Sequence, residues 1–390
     1  MDRFKPYRDQ LATLEKAGRK RQLLIPGGKD FSSNDYLGLA HNAFLRDVAQ
    51  TAIANGIAHG SGGSRLLGGS HPEHEALEAF AARHYGTEAS LFFGSGFAAN
   101  TALFATLPQT GDLLLYDAFI HASVHDGMKL GRAAFQPFPH NDCDALEQEI
   151  RTWRAEGGTG TIWIAVESLY SMDGDRAPLA DLARLADSHD AMLVIDEAHA
   201  VGVFGERGIG LSGDLGRQEN VIVLRTCGKA LGGEGGLLTM PMVLREFFIN
   251  RARPFIFSTA PSPLTAYLAQ QAIAYVADNP SLQADLAGHT AFARNCFAGL
   301  SLGDHQDSQI FPIILGEDRI AVDVATLLQG QGFDVRAIRP PTVLAGTARL
   351  RISLTLNVTQ DDIHNLSTAL HAALAQAEAA NQRLVGPDRS

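Results

Sequence analysis

A chain of 390 residues allows two or three domains at about 150 residues each and is long enough to bury a large core. Apolar residues make up 45% and charged residues 19%, an ordinary globular balance that excludes a largely disordered chain. The 43 acidic against 32 basic residues give a formal net charge of −11, which excludes a general nucleic-acid coat but not a local basic pocket for an anionic ligand.

No apolar run approaches the ~20 residues that span a bilayer, so no membrane association is expected. The start, Met1-Asp2-Arg3-Phe4-Lys5-Pro6, lacks the apolar stretch of a signal peptide. Cys143, Cys227 and Cys296 are odd in number and widely spaced, and fit neither a disulfide framework nor a zinc site. A reduced, cytoplasmic protein is the expectation.

The first forty residues hold an amphipathic stretch over 4–14, the basic cluster Arg19, Lys20 and Arg21, and the turn Pro26-Gly27-Gly28. They read as an arm. From about Ala43 helical patterns alternate with short apolar runs. In chain order the spacing predicts a helix over 73–85, a strand over 89–93, a helix over 98–107, a strand over 112–116, a helix over 143–154, a strand over 161–166, a helix over 179–188, and strands over 192–195, 221–224 and 236–240. Such alternation implies a mostly parallel sheet covered on both faces, and the continuously apolar strands suit it. After Pro261-Ser262-Pro263 comes an alanine-rich helical stretch over 264–277. Two strand-like runs, 311–315 and 350–354, follow with helical patterns between and after them. The expected division is an arm over 1–42, a large domain over 43–279 and a smaller α+β domain over 280–390.

Ligands of open α/β sheets bind beyond the carboxyl ends of strands. Beyond 89–93 lies Gly94-Ser95-Gly96-Phe97-Ala98-Ala99-Asn100, a small-residue turn opening a helix. Its free amides suit a phosphate, although the same residues also make a plain tight turn. Beyond 161–166 lies Glu167-Ser168-Leu169-Tyr170-Ser171, and beyond 192–195 lies Asp196-Glu197-Ala198-His199. An acid closing a buried strand needs a cationic partner, such as a bound cation or a protonated heterocycle. The Asp-Glu-Ala-His box also occurs in helicase-type ATPases, but these need a phosphate loop: Gly228-Lys229 is followed by Ala230, and Val223 stands where the first glycine belongs. His121 and His125 are four apart, yet no His-Glu-x-x-His or cysteine pair accompanies them, so no metal is expected. Beyond 221–224 lies Arg225-Thr226-Cys227-Gly228-Lys229-Ala230. A lysine among small residues is either a solvated loop residue or a desolvated nucleophile. The ordered set of anion turn, histidine, strand-end Asp with His, and Thr-x-x-Lys is what a pyridoxal phosphate site needs.

At this point the sequence resembles the α-oxoamine synthases, fold-type I pyridoxal phosphate enzymes, from residue 31 to about 355. The likeness is carried by Phe31-Ser32-Ser33-Asn34-Asp35-Tyr36-Leu37-Gly38-Leu39, Gly60-Ser61-Gly62-Gly63-Ser64-Arg65, Ser95-Gly96-Phe97-Ala98-Ala99-Asn100, Ser171-Met172-Asp173-Gly174-Asp175 and the Asp196 box. Ala337-Ile338-Arg339-Pro340-Pro341-Thr342, followed by Gly346-Thr347-Ala348-Arg349-Leu350-Arg351, looks like the biotin-pathway branch rather than those making aminolevulinate, aminoketobutyrate or sphinganine precursors. The resemblance implies a large domain with a mostly parallel sheet flanked by helices, plus a smaller C-terminal α+β domain. It implies condensation of L-alanine with pimeloyl-CoA or a pimeloyl-acyl carrier protein, releasing carbon dioxide and the thiol carrier. Lys229 then matches the Schiff-base lysine, Asp196 the partner of the pyridinium nitrogen, and His121 the catalytic histidine stacked on the ring. His199 and Ser171 match contacts to the phenolic oxygen, with Glu167 on the cofactor's side, and Gly96, Phe97 and Thr226 match the phosphate site. Arg351 matches the grip on the amino-acid carboxylate. Thr342, Asn34 and an N-terminal arginine, Arg19 or else Arg21, match substrate contacts. Leu344 departs from the family, where a proline is usual. The resemblance further implies a homodimer with shared active sites, the loop over 60–69 reaching the neighbour's cofactor. Three other readings stay in view: a different α-oxoamine synthase, an aminotransferase with the same Lys and Asp, and a non-catalytic cofactor-binding domain.

Overall fold

The computed structural model describes residues 2–23, 25, 27–303 and 307–384. Pro26, expected in a turn, lies outside the described residues. The chain begins with α1 (Lys5–Lys16), β1 (Lys29–Asp30), α2 (Ala43–Ala54), α3 (Pro72–Tyr85), β2 (Ala89–Phe93), α4 (Gly96–Thr106), β3 (Leu113–Asp117), α5 (Ala122–Leu130) and β4 (Ala134–Phe138). It continues with α6 (Cys143–Ala155), β5 (Ile162–Glu167), α7 (Leu179–Ser188), β6 (Ala191–Asp196), β7 (Val221–Thr226), β8 (Gly236–Met240), α8 (Met242–Arg251), α9 (Arg253–Ile256) and α10 (Pro263–Asp278). Then come α11 (Ser281–Cys296), β9 (Ile310–Gly316), α12 (Asp318–Gly330), β10 (Phe333–Asp334), β11 (Arg336–Ile338), β12 (Ala348–Ser353) and α13 (Gln360–Leu384). No helix among the described residues is long and apolar enough to cross a membrane.

Two compact units divide the chain. The larger holds Asn34–Ser171 and Asp175–Leu286; the other holds the described parts of Met1–Ser33, Met172–Gly174 and Ala287–Ser390. The larger unit is built on a seven-stranded sheet in the order β2-β8-β7-β6-β5-β3-β4. Its pairs are parallel except where β8 meets β2 and β7. Parallel neighbours need crossovers, and α5 between β3 and β4 and α7 between β5 and β6 supply two of them. The pleat sends alternate residues to opposite faces. Trp163 and Ala165 of β5 therefore join a core with Phe104 and Met128, while Ile162, Ile164 and Val166 join another with Leu146 and Leu182. With both faces covered, every residue of β5 is buried, as its unbroken apolar pattern requires.

Helix starts follow side-chain caps. Ser95 opens α4 by accepting from the Ala98 amide at 3.0 Å, and Asp142 opens α6 by accepting from Ala145 at 2.9 Å. Strands run further than their apolar cores suggest. The sequence ends them at 166, 195 and 224, but the ladder continues through Glu167, Asp196 and Thr226. The sequence also gives no strand over 134–138, because Pro137 reads as a breaker. β4 tolerates it as an edge strand pairing only with β3.

In the smaller unit β9, β12 and β11 form an antiparallel sheet in the order β11-β12-β9, and β1 pairs in parallel with β10. Only β9 and β12 were legible in the sequence. The other three strands are two or three residues long, too short to show a period.

Candidate active site

Adjacent strands β5, β6 and β7 end side by side in Glu167, Asp196 and Thr226. Glu167 and Asp196 are register partners, so their side chains leave the same face of the sheet. Both are buried. Asp196 accepts two N–H groups: the Ala198 amide at 2.8 Å on Oδ1 and the Asn100 side chain at 2.7 Å on Oδ2. Glu167 accepts the Ser171 amide at 3.3 Å on Oε2. Burial, reinforced by the Asp196 charge, pushes the Glu167 carboxyl well above its ordinary range, against the pull of Lys229 and the Ser171 amide.

Lys229 follows β7 in a loop of small residues and is half-buried. Its Nζ lies 2.7 Å from His199 Nε2. The other nitrogen of His199, Nδ1, lies 2.6 Å from the hydroxyl of the fully buried Tyr36, which donates to Asn34 Oδ1 at 3.0 Å. His121 caps α5, where Ser123 places its amide 3.2 Å and its hydroxyl 2.8 Å from Nδ1. Burial lowers the His121 imidazole; Asp196 raises it and Lys229 lowers it further. Phe97 presents its ring edge-on to His121 at 6.2 Å and is half exposed at the head of α4. Gly96 opens that helix against β8: a Cβ on Gly236 would come within 2.8 Å of Gly96 Cα, so glycine is required at the approach. Thr226 hydrogen-bonds Gly235 O at 3.1 Å and accepts from the Gly228 amide at 3.2 Å.

Lys229, His199, Asn34, Asp196, His121, Glu167, Ser171, Thr226, Gly96 and Phe97 thus all belong to the larger unit. Arg19, Thr342 and Arg351 belong to the other one. There Arg351 is 6% exposed and donates to Ser353 Oγ at 2.8 Å. Arg19 is ion-paired with Asp318 at 2.7 Å, whereas Arg21 and Thr342 are exposed. Three members of the hydrogen-bond network were not singled out by sequence: Tyr36, Asn100 and Ser123. Asn100 shares its helix with the polar Thr101 and Thr106, so nothing in the sequence marked it out as the one paired with Asp196.

A second network lies at the ends of β3, β4 and β5. His140 bridges Asp117 at 2.8 Å through Nδ1 and Asp175 at 2.8 Å through Nε2, and stacks on Phe119 at 4.3 Å. Burial would depress this imidazole, but the two carboxylates overcome it and carry it up to about 10.

The donor set fits pyridoxal phosphate: an amine, a buried carboxylate, a flat histidine, and the Gly96 and Phe97 amides that open α4, which have no acceptor within the helix. Glu167 Oε1 is also buried without a hydrogen-bond partner among the described residues, as expected of a group facing a ligand.

The family model for aminotransferases of class I and II matches residues 28–370. An 8-amino-7-oxononanoate synthase from Chlorobaculum parvum is 37% identical over 370 residues, covering 92% of this chain and 94% of the relative. A serine palmitoyltransferase from S. paucimobilis, solved with PLP and myriocin bound, is 26% identical with a TM-score of 0.87, covering 96% of this chain and 98% of that one. The 8-amino-7-oxononanoate synthase of Francisella tularensis is 27% identical with a TM-score of 0.75, covering 91% and 99%.

Proposed function

The chain belongs to the class I and II aminotransferase family with pyridoxal phosphate as its cofactor, and we propose that it condenses L-alanine with a pimeloyl thioester to give 8-amino-7-oxononanoate for biotin synthesis. In this reaction the α-carbon of alanine bonds to the thioester carbonyl, the C–S bond breaks to free the thiol carrier, and the carboxylate leaves as carbon dioxide. The observation that carries the reading is the Lys229–His199 hydrogen bond beside Asp196 and His121, themselves linked through Asn100 and Ser123, with the His121 imidazole feeling the charges of Asp196 and Lys229, in a chain 37% identical to a synthase of that name.

When bound, pyridoxal phosphate supplies an electron sink for the pair left on the substrate's α-carbon. Lys229 would hold the cofactor's aldehyde and, once displaced, take the α-proton on Nζ. His199, 2.7 Å away, would steer that amine. Asp196 would keep the ring nitrogen protonated, since an adjacent anion favours the charged form. His121 would cover the ring face, His199 and Ser171 would hold the phenolic oxygen, and Gly96, Phe97 and Thr226 the phosphate. Arg351 would grip the amino-acid carboxylate, with Thr342, Asn34 and Arg19 on the substrate.

A second reading is another α-oxoamine synthase, favoured by the higher TM-score of 0.87 to a serine palmitoyltransferase. A panel of alanine, glycine and serine against pimeloyl, succinyl and palmitoyl thioesters, followed by product mass, separates the two. Alanine with pimeloyl-CoA or its carrier-protein ester should give thiol and carbon dioxide in equal amounts. Thiol release without an amino acid would reduce the protein to a thioesterase. The reading includes a cytoplasmic homodimer. Its support is unpartnered apolar surface: Phe4, Tyr7, Leu11 and Leu14 form an exposed stripe along α1, and Leu66 and Leu67 are exposed in the 60–69 loop.

A further inference from the structure

Glu167 and Asp196 face the same side of the sheet from paired positions on β5 and β6, and only 2% and 5% of each is exposed. Two like charges in so buried a setting do not both persist, and one carboxyl takes the proton. The donors around each decide which. Asp196 has an N–H on each oxygen, from Ala198 and Asn100. Glu167 has one longer contact, from the Ser171 amide, and its Oε1 has no partner among the described residues.

Asn100 is 1% exposed, and its amide sits between Asp196 and Ser123. It is neutral and carries two N–H donors, which no aspartate or serine offers. One hydrogen goes to Asp196 Oδ2 and the other to Ser123 Oγ at 3.0 Å, while its own Oδ1 is buried without a partner among the described residues. Because Ser123 Oγ accepts from Asn100, its own hydrogen is available to His121 Nδ1. The Ser123 backbone amide donates to the same nitrogen. Nδ1 is therefore an acceptor, and the His121 proton resides on Nε2.

We propose that Asn100 is a positioning residue that assigns the negative charge of the Glu167–Asp196 pair to Asp196, leaves Glu167 a neutral acid, and through Ser123 holds His121 as the Nε2–H tautomer. This deepens the proposed function and rests on its reading of Asp196 as the partner of the ring nitrogen. The other titratable groups around the pair include Lys229 with its partner His199 from the loops after β7 and β6, His121 at the head of α5, Asp117 at the end of β3, and the buried Tyr170 in the loop after β5. Lys229 opposes the proton on Glu167, and Asp117 favours it.

The test uses the holoenzyme. Infrared difference spectra of wild type against Glu167→Gln should show loss of a protonated-carboxyl stretch at neutral pH; no such band in the wild type overturns the proposal. In Asn100→Ala and Asn100→Ser the low-pH change in the bound cofactor's visible absorbance should move up by about one pH unit. The imidazole 15N signals of His121 should pass from one tautomer to a mixture. A purely structural asparagine would lower the melting temperature and leave midpoint and tautomer unchanged, which also overturns the proposal. If neither variant folds, the wild-type carboxyl band and His121 tautomer decide the matter alone. Failed condensation of alanine with the pimeloyl thioester, with these spectra as expected, overturns the substrate assignment and supports the role of Asn100.

Discussion

Lys229 and His199 make a contact whose direction is fixed by its far end. Asn34 Oδ1 can only accept, so the Tyr36 hydroxyl donates to it and takes a hydrogen from His199 Nδ1. His199 Nε2 is then left to accept from Lys229 Nζ. Replacing Lys229 by Ala removes the amine bonded to His199. Turnover should fall by at least about 10³-fold, the scale of a lost general base, and borohydride should no longer attach the cofactor to the protein. Protein mass after reduction reads this directly, and a variant still labelled or still active would refute the assignment. Asp196→Asn keeps the shape and removes the charge. Exchange of the α-proton of alanine into deuterated water should slow by about 10²-fold or more, measured by NMR without any thioester present. Tyr36→Phe deletes one oxygen, and the pH dependence of the same exchange reports whether His199 has lost its fixed tautomer; an unchanged profile would show that the Tyr36 hydroxyl does not set it. Lys229 and Asp196 were legible in the sequence because each follows or closes an apolar run. Tyr36 and Asn100 were not, because a buried polar residue shows its partner only once the fold brings it near, 163 positions away for Tyr36 and His199 and 96 for Asn100 and Asp196.

Elements that end near one another have to be tied, and His140 ties three. Asp117 closes β3, His140 follows β4, and Asp175 lies in the loop after β5. Asp117 also accepts the amides of Phe119 and Asn141 at 2.8 and 2.9 Å, which fixes the turn leading to His121. With its folded value raised from 6.5 to about 10, the His140 imidazole binds its proton more tightly in the folded protein. Its contribution is fully present below about pH 6.5 and is lost as pH rises through about 10. His140→Gln should therefore destabilise the protein by about 3 kcal/mol at pH 6, the scale of a broken buried ion pair, and by much less at pH 10.5. Urea midpoints of both proteins at the two pH values check this, and a gap independent of pH would remove the charge from the account. The strands bearing these residues were readable wherever burial on both faces made them continuously apolar. Their polar ends were not, since a ladder is held by backbone groups and continues under any side chain. The edge strand β4 was hidden by Pro137, and β1, β10 and β11 by their shortness.

Assembly is where the whole molecule is open to test. The 60–69 loop is anchored at its base and apolar at its tip. Arg65 is ion-paired with the buried Glu78 at 2.6 Å, the Gly69 amide bonds Ser64 O at 2.8 Å, and the Ala260 amide bonds Gly63 O at 2.9 Å. Leu67 beyond them is 83% exposed. A held loop loses little conformational freedom on docking, and an exposed leucine gains about 1.5–3 kcal/mol when covered. In a twofold dimer each such contact occurs twice. If the proposed dimer packs through this loop, Leu67→Asp would replace both contacts with charges that resist burial, and the dimer dissociation constant should rise at least about 100-fold. Sedimentation across a concentration series measures it. If the sites are shared, specific activity should fall with the dimer fraction in the same series, and added wild-type protein should not restore it beyond its own share. A Leu67→Asp protein that remains dimeric at wild-type concentrations would place the interface elsewhere, with the stripe of Phe4, Tyr7, Leu11 and Leu14 on α1 as the next face to charge.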